Sequence, residues 1–415
     1  MILINVNFVK ELSLSNLNNL ETLGIGFIFL LLTTILIPII GIIRDNREEM
    51  YYLLLVELLL IMLFKTKNLL TFYINFELIL IPLLLLIIIF GSRYNKLDAY
   101  YKLWYYAFVG SLLLLLTIIY IYLNLGSLNN NMIYLYLNRS DRKLESYLIW
   151  LGIIVSFLIK VPIVPFHNWL TIAHTEASTL GSVLLASLIL KISTFGIIQY
   201  NTLLLWVTLF NPLIIMISIL SLLYSCIIII YIIDIKLIIA YSSIIHMNYS
   251  LLSIFNSVNG KLGTIYSNIS HGIVSSSLFI LIGILYRRYH SRIIYYYKGL
   301  VTVMPLFSIV FFVFIISNMS LPLTSSFIGE FWILRTFLNE NLVLVIIPLI
   351  CLFFNTLFNI TLYNKVIYSS LSNYLLKYKD ISLLEWISLI PLIIYNLWLG
   401  LAPNGLILII TSLLV

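Results

Sequence analysis

Charge is scarce in this sequence. Its 415 residues include 23 Lys and Arg and 16 Asp and Glu, 9% of the chain, against 62% hydrophobic residues. An ordinary soluble domain carries about 25% charge, so a water-solvated fold is excluded. Alanine is rare, occurring at Ala99, Ala107, Ala173, Ala177, Ala186, Ala240 and Ala402. Leu, Ile, Phe and Tyr take its place, and their largely A/T-rich codons fit an A/T-biased organellar genome. The two cysteines, Cys226 and Cys351, lie inside apolar runs. They are too few for a four-thiolate cluster or zinc site and indicate no disulfide framework. No basic region followed by a cleavage site opens the chain, so neither a signal nor a transit peptide is expected. The net charge of +7 is scattered among loops. That pattern fits juxtamembrane anchoring and not a nucleic-acid surface.

What the sequence does have is apolar runs of about 18 residues or more, the length that crosses a bilayer as a helix. The alternating segments of about 10 residues that build a transmembrane barrel are missing. An all-α polytopic membrane protein of about twelve spans is expected. The spans fall at 22–43, 50–66, 68–91, 99–123, 145–165, 178–200, 205–231, 237–256, 262–285, 302–337, 343–370 and 383–412. Most connections are short, and the exception, 124–144, reads as a low-complexity loop. One set of alternate loops and helix ends holds thirteen Lys and Arg and the other set eight. By the positive-inside bias the richer side faces the compartment of synthesis, with both termini opposite.

Pro162 and Pro165 in the fifth span, and Pro305 and Pro322 in the tenth, should break their helices. Interrupted helices five spans apart predict two repeats of a transporter-like design. With an odd number of helices in each repeat, the second copy is inverted. The expected organisation is an N-terminal segment with one span (1–49), a first five-span repeat (50–200), its inverted copy (201–370) and a C-terminal span (371–415).

Ionisable residues inside a membrane are functional candidates by default. Glu77, Lys191, His246 and His271 lie near mid-span, while Lys160 and Glu330 flank the proline breaks. Glu57, central in the second span, is a seventh candidate. Between the repeats, Glu77 on span three answers His246 on span eight, and Lys160 on span five answers Glu330 on span ten. A buried lysine beside a carboxylate switches protonation as that partner moves, and histidine is the natural relay. No nucleophile–base pair or phosphate-binding loop accompanies them, so the set fits proton movement and not bond-making chemistry. Two other readings exist. A cation/proton antiporter subunit could use the same path, and His246 with His271 could hold a b-type haem.

Five segments carry a resemblance. KVPIVPFHNWLTIAHTEASTLGSVLLASLILKISTFG (Lys160 to Gly196) resembles the signature of the subunit 4 family of NADH dehydrogenase, the antiporter-like proton-pumping subunits of respiratory complex I. DIKLIIAYSSIIHM, SHGIVSSSLFILIG and LPLTSSFIGEF resemble its next blocks, and YINFELILIP its glutamate-bearing helix. The Glu of GEF and the absence of a long lateral helix set the chain apart from the sister subunits. Ser178 stands where the family commonly has Pro, and Ser193–Thr194 replace a Gly-Gly pair. About fourteen spans are usual in that family, and its two most N-terminal ones have no counterpart here.

The resemblance implies a proton path through Glu77, Lys160, Lys191, His246, His271 and Glu330, with the two histidines relaying between Lys191 and Glu330. It implies no cofactor in this chain, since NADH, FMN, iron–sulfur clusters and ubiquinone belong to other subunits. The implied partners are other membrane-arm subunits of complex I, including two similar antiporter-like subunits on either side, and lipids such as cardiolipin. The implied location is the mitochondrial inner membrane, with both termini on the intermembrane-space side.

Overall fold

Hydrocarbon offers no partner to a peptide N–H or C=O, so a chain this apolar must satisfy its backbone within helices. The computed structural model describes residues 47–91, 95–137, 143–201, 211–255, 257–338, 342–368, 370, 372 and 379–414. The first expected span, most of the 1–49 segment, and the charges Lys10, Arg44, Arg93, Arg139, Arg142 and Lys377 lie outside the described residues.

The first expected repeat holds α1 (Arg47–Phe64), α2 (Leu69–Leu78), α3 (Leu80–Phe90), α4 (Lys96–Leu125), α5 (Asn130–Leu137), α6 (Lys143–Lys160), α7 (Asn168–Glu176), α8 (Thr179–Leu184) and α9 (Leu190–Asn201). It is followed by α10 (Asn211–Ile229), α11 (Ile235–Ile254), α12 (Val258–Tyr289), α13 (Leu300–Val303), α14 (Pro305–Asn318), α15 (Ser325–Leu338), α16 (Leu342–Ile367), α17 (Leu383–Leu401) and α18 (Asn404–Leu414). Eight stretches among the described residues are long and apolar enough to cross a membrane. The centre of the molecule is the stretch Thr179–Tyr200 with α11 and α12, whose most apolar windows are 100%, 94% and 94% buried. These helices are rich in serine, and Ser242, Ser243, Ser250, Ser267 and Ser270 each bond a carbonyl three residues back. Small side chains that satisfy themselves let neighbouring helices pack closely and leave room for a polar interior.

Prolines shape the interruptions. Pro162 and Pro165 have no N–H to give, and α6 stops at Lys160. The loosened backbone finds other donors: Trp169 Nε1 bonds the Ile159 carbonyl at 3.0 Å, and Asn248 Nδ2 reaches that of Pro162 at 3.4 Å. A second break separates α14 from α15 around Pro322, with Ser320 and Leu323 at φ of 56° and 77°. There the Asn318 carbonyl accepts from Asn355 Nδ2 at 2.9 Å, and the Ser317 carbonyl from the Ser326 hydroxyl.

Pro305 parts its span near the start, as expected: the one-turn α13 ends at Val303 and α14 begins at Pro305. It stands in the first turn of α14, where its missing N–H is an orphan in any helix. Asp380 caps that turn, accepting from Leu306 N at 2.8 Å and Phe307 N at 3.1 Å. Two interruptions were not anticipated. Pro82 cannot bond the Leu78 carbonyl, and the third span is parted at Ile79 into α2 and α3. The sixth span contains a π-helical turn, Leu185–Ile189, just before Lys191. The expected loop 124–144 also contains α5, which buries Ile133, Tyr136 and Leu137.

Loops that the charge pattern assigns to one side meet at one end of the bundle. Asp234 bridges to Ile293, and Arg288 bonds Glu385 at 2.7 Å and the Asp380 carbonyl at 3.1 Å. At the other end Asn68 bridges to Asn129, and Asn211 Nδ2 bonds the Phe255 carbonyl at 3.1 Å. Gly329 brings α15 close onto α12, where a Cβ would stand 2.7 Å from the Ser267 backbone. Gly329→Val is therefore expected to force α15 from α12 and to destabilise by about 1–3 kcal/mol. The readout is a lower Tm in detergent, with Gly405→Ala, which meets open space, leaving Tm unchanged or raised.

Candidate functional site

Six of the seven predicted residues come together in bonded pairs. Lys191, His246 and His271 sit twelve, eleven and thirteen residues past the first residue of their helical stretches, a depth of about 16–20 Å at ~1.5 Å per residue. That is mid-height in a bilayer. Glu77 lies at the end of α2 beside the kink, and Lys160 is the last residue of α6.

The first pair joins spans three and five. Lys160 Nζ donates to Glu77 Oε1 at 3.1 Å, and the side chains are 7% and 27% exposed. The same ammonium stands 3.1 Å from the centroid of the Phe76 ring. A carboxylate and an aromatic face thus share the work of replacing its hydration.

The second group is continuous. Lys191 is fully buried, and its Nζ lies 2.7 Å from His271 Nδ1. It also donates to the Ala186 carbonyl within the π-helical turn, so that irregularity supplies an oxygen five residues back. The His271 and His246 rings are 5.4 Å apart at 41°. His246 Nδ1 then meets Glu330 Oε1 at 2.9 Å. The order along this group is Lys191, His271, His246, Glu330, so His271 and not His246 receives Lys191. The three bonded pairs are separated by 83, 80 and 84 residues in sequence. Among the described residues no hydrogen bond joins Lys160 to Lys191.

Glu330 Oε2 is buried without a hydrogen-bond partner. It borders a cavity of about 10 Å³ lined by Tyr249, Ser267, Ser270, His271, Ser317 and Ser326, among others. That is room for about one water molecule. A porphyrin does not fit there, and both nitrogens of His246 are occupied, so the haem reading is excluded by shape. Glu57, in contrast, is buried in α1 and bonds none of the other six.

Two buried groups escaped the sequence reading. Lys236 counted among the orienting charges, yet it is only 3% exposed and donates to the Ala177 carbonyl at 2.8 Å. His174 is fully buried, stacked on Phe279 at 4.6 Å, with both ring nitrogens unbonded. It lies within charge range of Lys236 and Lys191. The quoted AHTEAS segment contained His174, but it fell in the connection between the expected spans 145–165 and 178–200.

Breaking a buried pair leaves an uncompensated charge, whereas removing both partners does not. Glu77→Gln and Lys160→Met are each expected to destabilise, and the double variant by less than the sum of the two. A double-mutant cycle on thermal stability should give a coupling of about 0.5–3 kcal/mol.

Comparison with known proteins places these features in context. Residues 66–356 match a family described as NADH:quinone oxidoreductase/Mrp antiporter, TM. The chain is 39% identical over 392 residues to NADH-ubiquinone oxidoreductase chain 4 of Chondrus crispus, covering 92% of this chain and 79% of that one. It is 38% identical over 412 residues to the chain 4 of Marchantia polymorpha, covering 96% and 82%. Its fold superposes on a chain of respiratory complex I from Thermus thermophilus with a TM-score of 0.84 at 25% identity, covering 96% of this chain and 85% of that one. A chain of the Mrp complex of Dietzia sp. DQ12-45-1b shares the fold with a TM-score of 0.83 at 18% identity, covering 94% and 83%.

Proposed function

Given that this chain belongs to the NADH:quinone oxidoreductase/Mrp antiporter transmembrane family, as a homologue of NADH-ubiquinone oxidoreductase chain 4, we propose that it is a proton-translocating membrane subunit of complex I working through its buried Glu, Lys and His groups. The observation that carries this reading is the set of bonded pairs Glu77–Lys160, Lys191–His271 and His246–Glu330, with the His271 and His246 rings side by side. The two acid–base pairs can each trade a proton without stranding a bare charge in a dry interior, and Lys191 with His271 can hand one proton between two bases.

The chain is organised as two five-span repeats, 50–200 and 201–370, the second inverted. Support comes from the pairing itself. Spans three and five of the first half hold Glu77 and Lys160, and spans eight and ten of the second hold His246 and Glu330, with acid and base exchanged. Lys191 and His271 link the halves.

Protons enter from the mitochondrial matrix and leave to the intermembrane space, across the inner membrane. Glu77 holds the Lys160 ammonium; when that contact weakens, Lys160 releases its proton toward Lys191. His174 and Lys236, nearer the end of the fold where Asp234 meets Ile293, give Lys191 a polar approach from that end. His271 passes the proton on toward the His246–Glu330 pair, and Glu330 is the exit group. Moving one charge against the membrane potential costs ~2.3 kcal/mol per 100 mV. That energy comes from quinone reduction in other subunits, which hold NADH, FMN, iron–sulfur clusters and ubiquinone. Similar antiporter-like subunits flank this one in the membrane arm, with cardiolipin among the surrounding lipids.

The test is proton pumping against NADH oxidation in sealed vesicles carrying assembled complex. Lys160→Met and Glu330→Gln are each expected to lower pumping several-fold per NADH oxidised. Unchanged coupling in both would overturn the path, and transport that requires Na⁺ would replace it with cation exchange.

A further inference from the structure

The surroundings of His246 decide where its protons sit. Nδ1 faces Glu330 Oε1 at 2.9 Å, and Nε2 faces Asn318 Oδ1 at 3.1 Å. An amide oxygen only accepts and an amide nitrogen only donates, so the orientation of Asn318 sets the state of the ring.

Two main-chain carbonyls fix that orientation. Asn355 Nδ2 donates to the carbonyl of Asn318 at 2.9 Å, and Asn359 Nδ2 donates to the carbonyl of Asn355 at 2.9 Å. Both side chains are thereby turned. Asn355 Oδ1 is left to accept from Asn359 Nδ2 at 3.1 Å, and Asn359 Oδ1 to accept from Asn318 Nδ2 at 3.0 Å. Asn318 must then present its oxygen to His246. The opposite orientation would set two acceptors against each other in a region where Asn318, Asn355 and Asn359 are 4%, 0% and 2% exposed.

We propose that Asn318, oriented by Asn359 and Asn355, keeps a proton on His246 Nε2 throughout, so that His246 exchanges a proton only through Nδ1 and only with Glu330. Asn318 is a positioning residue in this scheme. The pair has two forms: an imidazole whose Nδ1 accepts from protonated Glu330, and an imidazolium whose Nδ1–H donates to the carboxylate. One mobile proton belongs to both groups. The inference rests on the proton-path reading and alters one step of it. With Nε2 occupied and Nδ1 turned to Glu330, His246 offers no nitrogen to His271 despite the closeness of the rings. The transported proton instead reaches the pair at Glu330 Oε2, across the one-water cavity that His271 and Glu330 both border.

The titratable groups facing the pair are Tyr249 on α11 itself and His271 on α12, with Lys191 bonded to His271. Cys351 on α16 stands beyond Tyr249. From α14, α15 and α16 come Ser317, Asn318, Ser326, Asn355 and Asn359, none of which titrates.

The experiment measures pumping against pH in assembled complex, with Lys160→Met and Glu330→Gln as controls. Asn318→Leu removes the acceptor from Nε2–H and disfavours the imidazolium, so the limb set by the pair should move toward acid by about one pH unit. Asn359→Leu, which does not touch His246, should move it the same way by less, and Asn318→Asp should move it toward alkali. Infrared difference spectra on the purified complex give a reading that does not require pumping. The carboxyl absorption that Glu330→Gln removes should grow in Asn318→Leu at neutral pH, as the shared proton passes to Glu330. An unmoved limb together with an unchanged carboxyl band in Asn318→Leu overturns the inference. If Lys160→Met and Glu330→Gln pump normally, the proton path itself fails, and the infrared result still decides the state of the pair.

Discussion

An ionisable side chain held between helices inside a bilayer must find a partner where it stands, because water is too far away to solvate it. The rest of this structure follows from that constraint. Lys160 meets Glu77, Lys191 meets His271, and His246 meets Glu330. Each pair joins two helices that are distant in sequence, so satisfying the charges also determines how the helices come together. In the two acid–base pairs a proton moved from one partner to the other leaves the net charge of the pair unchanged, whereas Lys191 and His271 are both bases and share a proton only as a cation.

Irregular helices place the groups. Where proline removes an N–H, carbonyls and helix ends become available at membrane depth, and the protein fills them from within. Lys160 stands at one such break, and Glu330 follows the other by five residues of α15. The π-helical turn before Lys191 does without proline what the prolines do elsewhere, presenting the Ala186 carbonyl to the ammonium. Glycine and serine complete the effect, with Gly329 bringing α15 onto α12 closely enough for Glu330 to reach the histidine of α11.

The helical class and six of the candidate residues were legible because ionisable side chains stand out against so apolar a background. Pro162, Pro165 and Pro322 marked real breaks for the same reason: proline acts locally, through its own missing N–H. Pro305 also stands at a break, between α13 and α14, where Asp380 caps the new helix from 75 residues away. The pairings were beyond local reading altogether, since partners are 80 or more residues apart. That distance also hid the order of the two histidines. Lys236 and His174 were obscured by falling in expected connections between spans, where charges ordinarily meet water. Asparagines 318, 355 and 359 carry no charge, and only their closed run of hydrogen bonds shows that they act on His246. Glu57 gave the opposite result, an intramembrane carboxylate that joins none of the bonded groups.

Lys191 is the most direct point at which to test the account, since it is fully buried and joins the stretch Thr179–Tyr200 to α12 through His271. The measurement is the number of protons moved per NADH oxidised by assembled complex carrying Lys191→Met, in sealed vesicles. The account predicts a lower ratio with NADH oxidation still proceeding. A ratio equal to that of the unmodified complex would contradict it.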